Sequence, residues 1–287
     1  EAHTDDILSI TVSGDLVATG QVGPSPVIHI WSASSQQKKI KMKLPKGSRG
    51  VRALAFSQDA TYLAAVDMSN NHNVYCFEVS SGRQIMSQSG DTNEIFDLAF
   101  NQASGDNTFV SVGVKHTCFW NPQTQDKQKG LLMSKGEITT HTCATYTSSG
   151  LAFTGAVNSQ IYVWQGRECQ GTISVHKSGS VSALKSVGTN LITGGKDGFI
   201  HVYDTNSKST TNSIQVGNLV RGIDIDSSGT VFYGLRNGEI CSNSNGQRTQ
   251  LMQSHFEGEV WGLAIVDSNR FVTSGDDNKI FAWTYGK

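Results

Sequence analysis

Hydroxyl, imidazole and carboxylate side chains recur together along this 287-residue sequence. A serine or threonine, a histidine and an aspartate can form a relay. In it the histidine takes the proton of the hydroxyl nucleophile, and the aspartate orients the histidine. Such a relay would serve acyl transfer through a covalent intermediate. Two segments supply one residue of each type: His176, Thr193, Asp197, and His255, Thr273, Asp277.

A structural interpretation competes with the relay, because the set of residues recurs at the repeat period of the chain. Thr154 and Trp164 repeat part of it, with Asn158 in the aspartate position. An enzyme needs one nucleophile, whereas a buried hydrogen-bonded network that fixes a turn is useful in every repeat. We therefore interpret the sets as structural and expect no catalysis. Further members are His3, Thr19 and Trp31 in the first repeat, Tyr203 in the fifth and Trp283 in the last.

No other pattern in the sequence favours catalysis, a metal or a cofactor. The eight histidines do not cluster at metal-ligand spacing, and neither a phosphate-binding glycine loop nor a nucleophile elbow occurs. Five cysteines without a Cys-x-x-Cys pair favour a reducing cytosol. The formal net charge is −1, and no run of about 18 apolar residues is present. We therefore expect no nucleic acid and no membrane among the partners.

Strand-forming segments and closing aromatic residues must position these side chains. From Trp31 to Trp283 the chain covers 252 residues in six steps, so the period is about 42, which is typical of propeller blades. Each repeat contains three β-rich runs separated by turns with Asn-Gly, Asp-Gly or Ser-Gly. The sequence therefore predicts an all-β, seven-bladed β-propeller. Its blades cover approximately residues 1–46, 47–88, 89–133, 134–174, 175–215, 216–253 and 254–287.

The sequence provides one outer strand too few for seven blades. Blades of this type have four strands, and the fourth follows the closing aromatic residue. After Trp283 only residues 284–287 remain. We therefore expect the last blade to lack its outer strand within this chain, and the chain to be a piece of a longer protein. The sixth repeat has no aromatic residue near Ser242, so we expect its third strand, or the bonding of that strand to the fourth, to be irregular.

The order of histidine, hydroxyl, aspartate and tryptophan in each repeat resembles the network of WD-repeat proteins. Longer strings resemble one group of them, the echinoderm microtubule-associated protein-like (EMAP-like) family. The most specific are Thr-Gly-Gln-Val-Gly at 19–23 and Gly-Val-Lys-His at 113–116 followed by Phe119-Trp120. The strings Gly155–Asn158, Thr193–Gly198 and His255–Trp261 also match. The resemblance covers essentially the whole chain, in order.

This resemblance implies more than the repeat shows. In the family, a so-called HELP motif precedes the first propeller and a second propeller follows it, so the missing outer strand would come from the HELP segment. The resemblance implies a non-catalytic scaffold in the cytoplasm, on microtubules or in the cilium, that binds tubulin or a microtubule-associated partner. In several members microtubule attachment depends on a basic coiled coil, which this sequence lacks. A generic WD-repeat adaptor in a ciliary, signalling or ubiquitin-ligase assembly is the alternative.

One candidate partner surface is a mouth of the channel. The second residues of the aligned first strands should surround it: Leu8, Arg52, Phe96, Ser182, Arg221 and Trp261. Arginine and aromatic residues are favoured at binding hot spots. Packing between blades would equally explain Phe96 and Trp261, whereas Arg52 and Arg221 are costly to bury unpaired. They would contact a partner or pair with acids such as Asp97.

The other candidate surface is a basic outer strand. Alternation along it directs Lys39, Lys41 and Lys43 to one side and Ile40 and Met42 to the other. These lysines could meet the acidic tails of tubulin. They could equally protect an exposed strand edge from unwanted pairing.

Overall fold

The computed structural model of the chain describes residues 3–255, 260–268 and 270–284. Within these residues it contains seven antiparallel sheets, and no helix has the length and apolar character needed to cross a bilayer. Six sheets have four strands and the seventh has three. In every sheet the strands lie side by side in chain order, so each blade is a meander. The predicted all-β, seven-bladed fold is confirmed, as is the incomplete last blade.

The bounds of the strands follow the repeat. Blades one to three are β1 Ile7–Ser13, β2 Leu16–Gln21, β3 Val27–Ser32, β4 Lys38–Lys43; β5 Val51–Phe56, β6 Tyr62–Asp67, β7 Val74–Glu78, β8 Gln84–Gln88; and β9 Ile95–Phe100, β10 Phe109–Gly113, β11 His116–Asn121, β12 Asp126–Lys129. Blades four and five are β13 His141–Tyr146, β14 Leu151–Ala156, β15 Gln160–Gln165, β16 Glu168–Ser174; and β17 Val181–Val187, β18 Asn190–Gly195, β19 Phe199–Asp204, β20 Ser209–Gln215. Blades six and seven are β21 Val220–Ile225, β22 Val231–Leu235, β23 Glu239–Ser244, β24 Gln247–Gln253; and β25 Val260–Ile265, β26 Arg270–Gly275, β27 Ile280–Thr284.

The hydrophobic core lies between neighbouring blades. Between blades one and two, for example, Ile28, Ile30 and Met42 belong to the same buried cluster as Leu63 and Tyr75. Each of these strands buries apolar side chains on a sheet face, so burial requires a neighbouring sheet to cover that face. The inner strands contact one another in succession from β1 to β21.

The first and last blades keep apolar side chains exposed. Ile10 on β1 is 67% exposed, and Ile280 on β27 is 76% exposed. A closed propeller ring places its first and last blades side by side, which covers apolar surface of this kind.

The third strand of the sixth blade pairs regularly with the second, and its pairing with the fourth is interrupted once. The strand β23 pairs with β22 without a shift, whereas its ladder to β24 shifts register between Ile240 and Cys241. Of the two expected irregularities, the one in the bonding to the fourth strand is therefore present. Asn243 occupies the register position of the closing aromatic residue and is buried. Backbone hydrogen bonds hold the ladder, and they do not require an aromatic side chain at that position.

Candidate functional site

The structure brings the predicted set of the fifth blade together. Thr193 Oγ1 lies 2.9 Å from His176 Nε2, and His176 Nδ1 lies 3.0 Å from Asp197 Oδ1. Burial lowers the pKa of His176, although the Asp197 carboxylate opposes this effect. A neutral imidazole therefore donates its Nδ1 proton to Asp197 and accepts the Thr193 hydroxyl at Nε2. This is the geometry of a nucleophile relay, but Thr193 is fully buried, and no substrate carbonyl can reach its oxygen.

Tyr203 stands in the tryptophan position of this blade without taking the role of tryptophan. It pairs with Leu191 in the ladder, and it packs in an apolar cluster with Leu191 and Phe153. Among the described contacts of the fifth blade, no hydrogen bond joins Tyr203 to Thr193. A phenol is shorter than an indole and carries its polar group at the far end of the ring, so the substitution keeps the packing and loses the bond.

The seventh blade forms the complete network. Thr273 Oγ1 lies 2.9 Å from His255 Nε2 and accepts a hydrogen bond of 2.7 Å from Trp283 Nε1. His255 Nδ1 lies 2.8 Å from Asp277 Oδ1. The Thr273 hydroxyl is thereby bonded to both the indole and the imidazole. The arrangement ties the loop before the inner strand to β26 and β27, which is a structural role.

The first blade uses glutamine where aspartate was expected. His3 Nε2 lies 2.6 Å from Thr19 Oγ1, and this oxygen accepts a hydrogen bond of 2.8 Å from Trp31 Nε1. His3 Nδ1 lies 2.8 Å from Gln21 Oε1. Gln21 is on β2, two residues after Thr19, and its longer side chain reaches the histidine from there. Sequence reasoning missed Gln21, because the search looked for an acid in the following turn.

The fourth blade holds a histidine that the sequence did not reveal. Thr154 Oγ1 accepts a hydrogen bond of 2.9 Å from Trp164 Nε1 and lies 2.9 Å from His141 Nδ1. His141 begins the inner strand β13 instead of preceding it. Burial lowers its pKa to about 4, so the imidazole is neutral. Asn158, expected in the aspartate position, donates to Glu137 Oε1 at 2.7 Å.

The third blade exchanges the histidine and the aspartate. His116 begins β11, the strand after the turn, and its Nε2 lies 2.8 Å from Ser111 Oγ. Its Nδ1 lies 3.1 Å from Asp91 Oδ2, and Asp91 comes from the loop before the inner strand, where other blades place histidine. Trp120 Nε1 donates to Ser111 Oγ at 2.8 Å. His116 belongs to the Gly-Val-Lys-His string, but its role could not be inferred from an order of residues that is reversed.

One group of these side chains has donor atoms suitable for a metal ion. The ligand atoms of His176, Asp197 and His201 lie within 4.8 Å of one another. Both nitrogens of His176 are already hydrogen bonded, and His201 Nδ1 lies 2.8 Å from Ser213 Oγ. The seventh blade builds the same network with Phe281 at the register position of His201. The group is therefore explained by the blade network.

The residues predicted to surround the channel mouth occupy β-bulges. In all seven blades the ladder between the first and second strands skips the second residue of the inner strand. A bulge leaves that residue unpaired and turns its side chain away from the regular alternation. The positions are Leu8, Arg52, Phe96, Thr142, Ser182, Arg221 and Trp261.

Several of these bulge residues join one blade to the next. The guanidinium of Arg52 lies over the ring of Phe96, 5.5 Å from its centroid. Ser182 donates to the Val220 carbonyl at 2.5 Å, and Thr142 donates to the Val181 carbonyl. Arg52 and Phe96 are partly buried and Leu8 and Arg221 are exposed, whereas the Trp261 side chain lies outside the described residues.

Asp97 lies directly after Phe96 and also joins two blades. Its Oδ2 accepts a hydrogen bond of 2.9 Å from the Ala144 amide of β13, and its Oδ1 accepts one from the Leu98 amide. Burial raises the pKa of this carboxyl to about 6. The hydrogen bonds from the two amides and the positive charge of Arg52 oppose this rise. The expected acid near Arg52 is therefore present, but its oxygens serve the next blade.

The lysines of β4 stand on an exposed surface, which we call the lysine stripe (Lys39, Lys41 and Lys43). All three side chains are exposed, whereas Met42 between them is buried. Lys39 Nζ lies 3.7 Å from Asp15 Oδ2, and both partners are about half exposed. Such a pair contributes little stability, so the stripe remains available for a partner.

Seven meanders, five of which contain a recurrent network of histidine and hydroxyl side chains, four of them with tryptophan, define a WD-repeat β-propeller. The chain belongs to the echinoderm microtubule-associated protein family: the model for the first β-propeller of that family matches residues 1–225. The WD domain, G-beta repeat model matches residues 246–284. The recognition made from the sequence is thereby confirmed.

Curated relatives carry ciliary and microtubule-associated names. A ciliary WD repeat-containing protein, ctxp80, of Euplotoides octocarinatus is 39% identical over 286 residues, which are 98% of this chain and 40% of that protein. Human echinoderm microtubule-associated protein-like 3 is 24% identical over 330 residues, 98% of this chain and 36% of that protein. Mouse cilia- and flagella-associated protein 44 is 21% identical over 267 residues, 88% of this chain and 14% of that protein. The chain thus spans two fifths or less of the length of these relatives.

Proposed function

We propose that this propeller is a non-catalytic protein-interaction scaffold of the microtubule cytoskeleton that binds tubulin or a microtubule-associated partner. Family membership and the names of the relatives support this function. The observation that supports this function is the location of the polar groups. Sets that could do chemistry are buried within the blades, whereas arginines, lysines and apolar side chains remain accessible. Chemistry needs an accessible reactive atom, while binding needs an accessible surface.

The channel mouth is the contact surface that we favour. Arg52 is held over Phe96 and is therefore oriented before a partner arrives, which reduces the entropy lost on binding. Arg221 is exposed at the equivalent bulge of the sixth blade. Oriented arginine and aromatic side chains are the usual centres of binding energy. Trp261 belongs to the same ring by its position in β25 and is included in the proposal.

The lysine stripe is the rival surface. Its exposed ammonium groups suit an acidic, extended segment such as a tubulin tail. Binding there would be electrostatic and would weaken steeply with salt, because exposed charges are screened over about 8–10 Å at physiological ionic strength. Binding at the mouth would bury its contacts more completely and would therefore depend less on salt.

Co-sedimentation with microtubules, beside a pull-down with unpolymerised tubulin, tests the function and the surface together. If the mouth binds, Arg52→Ala with Arg221→Ala abolishes the interaction, and reversal of the lysine stripe to glutamate leaves it intact. The opposite pattern would show that the stripe is the site. Arg83→Ala with Arg167→Ala is a matched control that removes two exposed arginines from the β7–β8 and β15–β16 turns, away from the bulge positions. Failure of the wild-type chain to bind either form of tubulin would refute direct tubulin binding.

We further propose that the full-length protein works in the cytoplasm, on microtubules including those of cilia, and that it carries a HELP-type segment and a second propeller. The ciliary names of two relatives also favour a second candidate, an adaptor in a ciliary assembly that does not itself contact tubulin. Proximity labelling in ciliated cells distinguishes the two, because only the first enriches tubulin when the mouth is intact and loses it when Arg52 and Arg221 are replaced.

A further inference from the structure

The outer strand of blade one, β4, has an open edge. Within its sheet β4 pairs only with β3. The Leu44 amide donates to the Pro26 carbonyl at 3.3 Å, in register with the β3–β4 ladder. In an antiparallel ladder, residues that bond to the partner strand alternate with residues whose backbone groups point away from it. Met42 therefore bonds to β3, and the backbone N–H and C=O groups of Lys41 and Lys43 point to the open edge.

Lys41 and Lys43 also direct their side chains to one exposed face. Both side chains are exposed, whereas Met42 between them is buried in the core cluster shared with blade two. A strand that paired with this edge would place every second side chain beside these ammonium groups, at the short distance of a cross-strand pair. The edge therefore favours an extended segment in which two kinds of side chain alternate.

The opposite side of β4 faces blade two. Ile40 packs against the core cluster there, and a Cβ atom at Gly82, in the turn between β7 and β8, would stand 3.1 Å from Ile40. Glu78 and Arg83 lie at the two ends of that turn and form an ion pair of 3.6 Å. An intervening side chain of an added strand would therefore meet an apolar surface without excess charge, which suits a small or apolar residue.

The positive charge around β4 exceeds the negative charge of the same part of the chain. Residues 3–58 contain five lysines, two arginines and three aspartates, a formal charge of +4, and all three aspartates precede β2. Asp15 is one of them and forms an ion pair with Lys39. Among the described residues no ion pair engages Lys41 or Lys43. Their charges are therefore available to a ligand with acidic side chains.

Protection of an exposed edge from unwanted pairing is the alternative explanation of these lysines. Four of the six residues of β4 are lysines. The outer strands β8 and β20 also end their sheets, but neither contains a charged residue, although β20 is one residue longer than β4. Protection therefore does not explain why the positive charges are concentrated on β4, whereas a partner with acidic side chains does.

We propose that β4 receives an extended acidic segment of a partner protein as a fifth strand of blade one. The backbone of the segment bonds to the outward groups of Lys41 and Lys43, which is the known mode of strand addition to a sheet edge. Carboxylates at alternate positions lie beside the two ammonium groups, and the small or apolar side chain between them lies towards Ile40. The proposal goes beyond tubulin binding at the channel mouth, because it concerns another surface and requires alternating acids.

Fluorescence anisotropy with labelled peptides tests the pattern. The probe alternates glutamate and valine, a block peptide of the same composition has all its glutamates consecutive, and a third peptide alternates lysine and valine. The probe binds saturably, and the other two bind at least about 10-fold more weakly. Equal binding of the block peptide would indicate attraction between charges without strand addition. That result, or no saturable binding of the probe, overturns the proposal.

Variants of β4 separate the contribution of charge from that of the backbone. Lys41→Glu with Lys43→Glu weakens the probe about 10-fold or more, whereas Lys129→Glu with Lys177→Glu reverses two exposed lysines of other blades and leaves the affinity unchanged. Lys41→Pro and Lys41→Ala both remove the ammonium group, but only proline removes the outward N–H, and an edge strand tolerates proline there. The proline variant therefore binds the probe about 5-fold or more weakly than the alanine variant.

Amide hydrogen exchange gives a second readout in the wild-type chain. Bound probe slows exchange at the amides of Lys41 and Lys43 and leaves that of Met42 unchanged, because Met42 is already bonded to β3. Equal affinity of the proline and alanine variants, or unchanged exchange at the two lysine amides, overturns the proposal. These readouts do not involve tubulin, so failure of this proposal and failure of the proposed function are distinguishable.

Discussion

Replacing Thr154 by valine removes the centre of the fourth blade network without changing its shape. The hydroxyl accepts from Trp164 Nε1 at 2.9 Å and lies 2.9 Å from His141 Nδ1, and Thr154 is fully buried. Valine fills the same volume, so no cavity forms, but an indole donor and an imidazole acceptor lose their partner. Each buried polar group left unsatisfied costs about 1–3 kcal/mol. We therefore expect the free energy of unfolding to fall by about 2–4 kcal/mol, measured by urea unfolding with tryptophan fluorescence.

Two further variants separate the network from packing. Thr154→Ser keeps the hydroxyl and loses one methyl group, so it should cost only about 1 kcal/mol. Thr210→Val makes the same chemical change as Thr154→Val on an exposed strand position and should stay within about 0.5 kcal/mol of wild type. If Thr154→Val is no more destabilising than Thr154→Ser, the hydroxyl is not the centre of a stabilising network, and the reasoning fails.

Three other predictions follow from buried groups and exposed charges. The pKa of Asp97 is raised from 3.8 to about 6, so the cost of ionising it is absent below the lower value and complete above the upper one. The free energy of unfolding of wild type relative to Asp97→Ser should therefore fall by on the order of 2 kcal/mol as pH rises through this window. Urea unfolding at a series of pH values measures this difference, and the absence of a trend would contradict the reasoning. A Cβ atom at Gly113 would stand 2.0 Å from a backbone oxygen, so Gly113→Ala should cost about 2–3 kcal/mol in the same assay. Gly222→Ala, whose Cβ meets nothing within 4 Å, should be nearly neutral, and equal effects would contradict the steric argument. Reversal of the lysine stripe to glutamate should change stability by less than about 1 kcal/mol, and a larger loss would show that the stripe supports the fold.

The repeat was visible in the sequence because it depends on local features. Strand runs, Asp-Gly and Asn-Gly turns and closing aromatic residues recur about every 42 residues, and each feature acts within a single blade. The count of seven blades and the missing last strand followed from that spacing. By contrast, the sequence did not decide which bonds of the third strand of blade six would be irregular, because Asn243 gives no aromatic signal although its backbone pairs normally with β22.

Contacts between elements were harder to infer. That the aligned ring positions are β-bulges depends on the pairing of neighbouring strands, which no single strand encodes. Asp97 was named as an acid for Arg52, but its bonds to the next blade place its oxygens elsewhere. The exposed apolar residues of segment 130–140 were missed altogether, because they follow neither the period of a strand nor that of a helix. Glycines at positions 130 and 136, where the segment lies against the Trp164 and Tyr162 rings, were the available signal.

The exchange in blade three explains why a motif search finds some networks and not others. In the third, fifth and seventh blades the network requires an imidazole between a hydroxyl and a carboxylate, with one partner from the loop before the inner strand. His176 meets these requirements from the loop, with Asp197 in the turn. His116 meets them from the turn side, with Asp91 in the loop. Both arrangements tie the same loop to the same strands with the same bonds, so selection for blade stability can accept either order. Networks of this kind are therefore better recognised by their geometry than by the order of their residues.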